Sequence, residues 1–196
     1  MIDLTDLDVQ VGTPALIEFG GWQVSPLGGP AQAVDFPGDR FALSITVPPM
    51  DIEPYGRRWI ADLTVARKEG CFFAFPQVEF DVGAPGNTLV SGAVSGGQSL
   101  PIRGGTAAYA IRKGQWLSII HGGRRYLHFA RAQLILDAAG AGALPIFPRL
   151  RTNLVDGDVI ELARPIIEGR LDGDEHSWTL DEARNVGLQF RIVEIA

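Results

Sequence analysis

A single cysteine, Cys71, stands among the 196 residues. It excludes an intrachain disulfide framework, and its neighbours Phe72, Phe73 and Phe75 mark it as a small apolar packing residue. The chain also lacks an uninterrupted apolar run of about 18 residues, the length a membrane-crossing helix needs. Its first residues, Met1 to Asp8, hold neither the basic nor the apolar segment of a secretory leader. Basic charge is scarce. With 17 Lys and Arg against 23 Asp and Glu, the net charge of -6 argues against a nucleic-acid groove, because phosphate affinity comes from clustered cations. Arg57-Arg58 and Arg124-Arg125 are too short to reverse that balance. These absences fit a reducing cytoplasm, or a particle assembled there.

Patterns that carry chemistry are missing as well. Gly92-Ala93-Val94-Ser95-Gly96-Gly97 approximates the Gly-x-Ser-x-Gly spacing of a serine hydrolase, but no helix follows it to present the nucleophile on a sharp turn. His121, His128 and His176 form no closely spaced metal pair, and the lone cysteine adds no thiolate partner. His128, between Leu127 and Phe129 in a strand, reads as a structural or interface residue. Asp156-Gly157-Asp158 and Asp172-Gly173-Asp174-Glu175 lack the liganding register of a calcium loop, and Asp-Gly turn chemistry accounts for both. Gly104-Gly105 and Gly122-Gly123-Arg124 lack the strand, lysine and helix order of a phosphate-binding loop. The reading is therefore a non-enzyme, with no catalytic residue, no metal and no cofactor.

What is present is β structure. The 24 glycines and 13 prolines fall between short apolar segments, so they read as turns and not as a disordered block. Strands are expected at Leu16 to Phe19 and at Phe41 to Val47, separated by a Gly/Pro-rich loop from Pro26 to Gly38. Period-two alternation marks the second, and Pro48-Pro49 ends it. Ile52, Tyr55, Trp59, Leu63 and Ala66 then recur at helical spacing. They predict a helix over about 52–69, with Asp51 or Glu53 as N-cap, Pro54 in the first turn and Gly70 at its end. Cys71 to Pro76 is a short apolar strand whose phenylalanines cover one face of that helix.

A stretch poor in charge, Asp81 to Gly105, begins a second unit, with a strand around Thr88 to Val94. Gly122-Gly123, between Gly114–His121 and Arg125–Ala130, predicts a two-residue hairpin turn, since glycine accepts the positive φ values required there. The proline-bounded run Leu144 to Leu150 supplies another strand. Asp156-Gly157 predicts a tight turn between Leu154-Val155 and Val159–Leu162, with barrel closure nearby. Pro165 to Leu171 extends, a polar loop runs from Asp172 to His176, and Gly187 to Ile195 alternates as a terminal strand. Leu188, Phe190 and Ile192 then face one way, and Gln189 and Arg191 the other.

The expected fold is mainly β. A β-sandwich domain with one helix spans 1–82 and 165–196, and a small OB-like β-barrel spanning 83–164 is inserted in it. Two readings of its purpose remain open. Trp22, Trp116, Tyr126 and Trp178 are candidates to line a sugar-binding face, which would make this a carbohydrate-binding β-sandwich module; aromatic residues serve cores and protein interfaces as readily.

The second reading rests on a resemblance. Arg40-Phe41 leading to Pro48-Pro49-Met50, the helix with Trp59 and the Phe-rich strand resemble the ring-forming region of the distal tail proteins of long-tailed bacteriophages. Leu89 to Ala93, Gly97 to Leu100 and Lys113 to Ile119 resemble a domain embedded in such proteins. So do Asp137 to Gly140, Pro148 to Arg151 with Asp156-Gly157, and the ending from Trp178 to Phe190 and Glu194. The resemblance implies a structural virion protein at the tail tip, assembled in the bacterial cytoplasm. It implies self-association into a ring, commonly of six copies, that joins the tail tube protein to the baseplate hub and tape-measure proteins, without nucleic acid or a membrane span. The loops Pro26 to Gly38 and Gly96 to Gly105 are the candidates for contacts between copies.

Overall fold

The computed structural model describes residues 1–34, 36–173, 177–180 and 185–195. In chain order, β1 (Ile2–Asp3), β2 (Val11–Ile17), β3 (Gly21–Gln23), β4 (Gln32–Val34), β5 (Arg40–Thr46) and β6 (Met50–Asp51) precede helix α1 (Arg57–Glu69), and β7 (Cys71–Ala74) follows it. Next come β8 (Gly86–Val90), β9 (Val94–Ser95), β10 (Ser99–Gly105), β11 (Ala110–Ile111), β12 (Trp116–His121), β13 (Arg124–Ala130), β14 (Leu134–Ile135) and β15 (Gly142–Phe147). The chain ends with β16 (Asn153–Leu154), β17 (Val159–Glu161), β18 (Ile166–Leu171), β19 (Trp178–Leu180) and β20 (Asn185–Glu194).

These elements make a mainly β protein with two bodies of strands. One is a mixed, eight-stranded sheet ordered β1-β7-β18-β20-β5-β2, with β6 and β19 also paired to β20. The other is a closed, six-stranded antiparallel barrel ordered β10-β15-β13-β12-β17-β8. All barrel strands fall between β7 and β18 in the chain, so the sheet is built from both flanks of the barrel segment. The terminal strand β20 lies centrally, between β18 and β5, and buries Val186, Leu188, Phe190 and Ile192 on one face. Helix α1 buries Leu63 and Ala66 in the same core as Leu43, Cys71, Phe73, Ile167 and Ile192. A separate core of Leu100, Ile102, Leu117, Ile119, Leu144, Ile146 and Ile160 fills the barrel.

Local chemistry explains most boundaries. Gly122 and Gly123 take φ of 56° and 78°, and the turn they form pairs His121 with Arg124. Gly70 ends α1 at φ 77°, its N–H donating to the Ala66 carbonyl at 2.8 Å. The helix start differs from expectation. Neither Asp51 nor Glu53 caps it through a side chain: α1 begins at Arg57, after a kinked turn Ile52–Gly56 that contains Pro54. Glu53 precedes that proline, which disfavours helical backbone, and it is extended at φ -115° and ψ 134°. Its carboxylate turns to Arg57 instead.

Three segment expectations are also corrected, and one turn is found where it was expected. The first long strand is β2, beginning at Val11, where Gly12 and Pro14 mask its β character in the sequence. The Pro26–Gly38 segment is not all loop, since β4 lies within it and pairs with β3. The expected Asp156-Gly157 turn joins β16 to β17, with Gly157 at φ 89°, and the barrel closes beside it as expected. Strand β16 pairs with β9, whereas β17 closes the barrel between β12 and β8. The strand expected to Val94 stops at Val90, before Gly92 at φ 79°. Of the loop Asp172–His176, residues 174–176, including His176, lie outside the described residues.

Candidate assembly surface

The residues weighed for chemistry are held apart. Ser95 sits in β9 opposite Asn153, while His121 Nδ1 lies 2.8 Å from Asp158 Oδ2 and His128 Nδ1 lies 3.0 Å from the Pro148 carbonyl. Burial drives the His128 imidazole down to about 3, and the neighbouring Arg151 charge acts in the same direction, so the ring is neutral at physiological pH. Cys71 is fully buried, and burial pushes its thiol up to about 12. Asp156 is committed to structure: its carboxylate accepts the Gly92 N–H and an Arg103 N–H, and these contacts hold it below the usual carboxylate range. No group of three or more His, Cys, Asp or Glu side chains is placed to hold a metal among the described residues. No helix among them is long and apolar enough to cross a membrane.

The four aromatics weighed for a sugar face lie on four elements. Trp116 and Tyr126 oppose Phe129 and Ile119 in the β12–β13 register, three residues apart along β12, which places them on opposite faces of the pair. Trp22 is on β3 and Trp178 on β19. Trp116 instead anchors a cluster between the sheet and the barrel. Its ring centroid is 4.2 Å from that of Phe75, 4.7 Å from Phe41 and 5.3 Å from Phe129, and Phe129 continues to Phe147 at 5.4 Å.

Beside this cluster lies a polar latch that sequence reasoning missed. Glu194, at the end of β20, has no exposed side-chain surface, and the Arg151 side chain that pairs with it is 6% exposed. The Glu194 carboxylate accepts N–H groups from Phe41 of the sheet at 3.1 Å and from Leu127 of the barrel at 2.7 Å, as well as both terminal nitrogens of Arg151. Buried Glu168 does the same for Arg125 N–H at 2.7 Å, and Gln77 Oε1 accepts Trp116 N–H at 3.0 Å. Each anion in this junction therefore meets donors from the barrel, as a charge out of water requires. The signal in the sequence was parity: Glu194 falls on the same alternation as Leu188, Phe190 and Ile192.

The outward features lie at the two ends of β5. At its Arg40 end, the β2–β5 hairpin continues into the β3–β4 arm, rooted by Phe19 N–H on Asp39 Oδ1 at 2.7 Å and by the Arg40 guanidinium 4.9 Å over the Phe19 ring. The arm presents large apolar side chains to solvent, Trp22 at 73% exposure and Leu27 at 95%, along with Val24 and Phe36. At the Thr46 end, two hollows flank Pro49. One, of about 630 Å³, is lined by Thr46, Val47, Trp178, Gly187, Leu188 and Gln189 among others; the second, of about 520 Å³, includes Leu7, Met50, Tyr55 and Trp59. The Gly96–Gly105 candidate is mostly a barrel strand, β10, with Leu100 and Ile102 in the core. No known family model matches the chain, and no curated protein matches it either.

Proposed function

We propose that this protein is a structural ring subunit of a long-tailed phage or phage-derived tail. It would be the distal tail protein that joins the tail tube to the baseplate or tail-tip hub, and not an enzyme. The observation that carries the reading is an exposed apolar arm and an open hollow of mixed polar and apolar lining at opposite ends of one strand, β5. A copy with a projecting surface at one end and a receiving surface at the other associates head to tail, and such contacts close into a ring when the rotation permits. A helix-bearing β domain accompanied by a small barrel is also what the resemblance implies, and the placement of the barrel between the two chain flanks of the sheet is a departure from it. Its partners on this reading are further copies of itself, the tail tube protein, the hub and the tape-measure protein, and its place is the virion tail tip.

The test is the assembly state of the purified full-length chain. Light scattering should give a particle about six times the 21.1 kDa chain mass, and negative-stain images should show closed rings. A monomer at every concentration, from a protein that is absent from purified particles, overturns the proposal.

A further inference from the structure

On the ring reading above, each copy must offer one inserting and one receiving surface, and we infer that the arm tip of one copy seats in the hollow beside Pro49 of the next. The first support is chemical match. Residues 20–34 carry no charged side chain, although charged residues make up 20% of the chain. Among the described residues, those lining the larger hollow, including Thr46, Pro49, Trp178, Gly187, Leu188 and Gln189, are likewise uncharged. Desolvating these described residues against the arm tip strands no ion, whereas docking the tip on charged side chains would.

Placement is the second support. Val11 pairs with Thr46 at the hollow end of β5, and Ile17 pairs with Arg40 at the arm end. Six residue steps of about 3.3 Å put roughly 20 Å between them. Within one chain the tip does not fill the hollow: Leu27 is 95% exposed, and no described residue of the arm lines it. The occupant is thus supplied by a second copy, whose own hollow stays open to a third. At about 630 Å³ the hollow is of a size that accepts more than one side chain, and Trp22 and Leu27 are the bulky groups on offer.

Two substitutions separate the halves of this contact without touching the fold. Leu27→Glu places a charge at the tip, on a side chain that packs against almost nothing. Gly187→Arg fills the hollow from its wall, at a position where an added Cβ meets no atom within 4 Å. Circular dichroism and the urea midpoint should match the unmodified protein in both variants. In analytical ultracentrifugation each variant alone should lose assembly completely and sediment as a monomer. Mixed in equal amounts they should form a 1:1 dimer and nothing larger, because one retains its hollow and the other its arm. Unchanged assembly of either variant overturns this contact and leaves the ring reading standing, as does a mixture that stays monomeric. Unmodified protein that forms open filaments or closed pairs through the same two surfaces keeps the contact and overturns the ring. Unmodified protein that is monomeric throughout overturns both.

Discussion

At the scale of single residues the junction is where the chain commits most free energy to few atoms. Removing Arg151 leaves the Glu194 carboxylate buried with only the Phe41 and Leu127 N–H groups around it, so Arg151→Met should destabilise the protein by about 3 to 5 kcal/mol. Urea unfolding followed by tryptophan fluorescence measures it; a loss below about 1 kcal/mol contradicts the latch. Because Glu194 also serves two backbone donors, changing both partners to apolar residues should not recover the loss, unlike an ion pair with no other duties. His128 predicts a pH dependence. Its folded value, about 3, lies below the 6.5 of the unfolded chain, so the unfolded state binds the extra proton and stability is lost as pH falls from about 6.5 towards 3. The slope from this group approaches about 1.4 kcal/mol per pH unit in that window. His128→Gln should flatten the decline between pH 6.5 and 5 whatever its effect at pH 8, and identical slopes for the two proteins would remove His128 as the cause. Cys71 should not react with a thiol reagent at pH 8 until the chain unfolds, when one equivalent appears, since the folded thiol is buried and protonated.

At the scale of elements, hydrophobic alternation and glycine turns made the β12–β13 hairpin, the body of α1 and the terminal strand legible in the sequence. Each carries its signal within a dozen residues. The elements whose pairing was not read depend on distant partners. Nothing local distinguishes β16 pairing with β9 from β16 pairing with β17, because the same Asp156-Gly157 turn serves both. In β2, Gly12 and Pro14 interrupt the apolar pattern. That strand is the sheet edge, where a proline removes no needed ladder bond. The latch was missed for a related reason: despite its parity with the buried residues of β20, a glutamate at a strand end reads as solvent-facing until the barrel lies over it. One contact that only the fold reveals gives a prediction at this scale. Gly140, at φ 69°, lies so close to the backbone of β10 that an added Cβ would stand 1.8 Å from the Gly105 carbonyl oxygen. Gly140→Ala should therefore displace the turn before β15 and break the Gly105 N–H bond to the Gly140 carbonyl, 3.0 Å in the native protein. Amide exchange at Gly105 and its β15 neighbours should accelerate, with α1 unaffected; unchanged exchange there contradicts the close approach.

At the scale of the whole molecule the question is whether barrel and sheet are separable. Closure gives the barrel no free strand edges, and its interior core is its own, both conditions for independent folding. Its outer wall is different. Trp116, Leu127, Phe129 and Phe147 pack against the sheet core, and excision would turn them into a contiguous aromatic patch of the kind that drives association. Excision would also leave the Arg125 and Leu127 N–H groups and the Arg151 guanidinium without their glutamates, but water replaces those partners at a newly exposed wall. The apolar loss therefore outweighs the polar one. A fragment spanning residues 83–164 should keep β circular dichroism and a cooperative unfolding transition, yet self-associate at micromolar concentration. Trp116→Ser with Phe129→Thr should make that fragment monomeric. In the full chain, the same pair should lower stability by several kcal/mol, because each aromatic there fills a packed junction. A fragment that is unfolded from the start would show that the sheet is needed to form the barrel, and one that is monomeric without substitution would show that the patch is too small to matter. The expected outcome makes the junction a stiff coupling, so that whatever the barrel contacts bears directly on the sheet whose two ends carry the arm and the hollow.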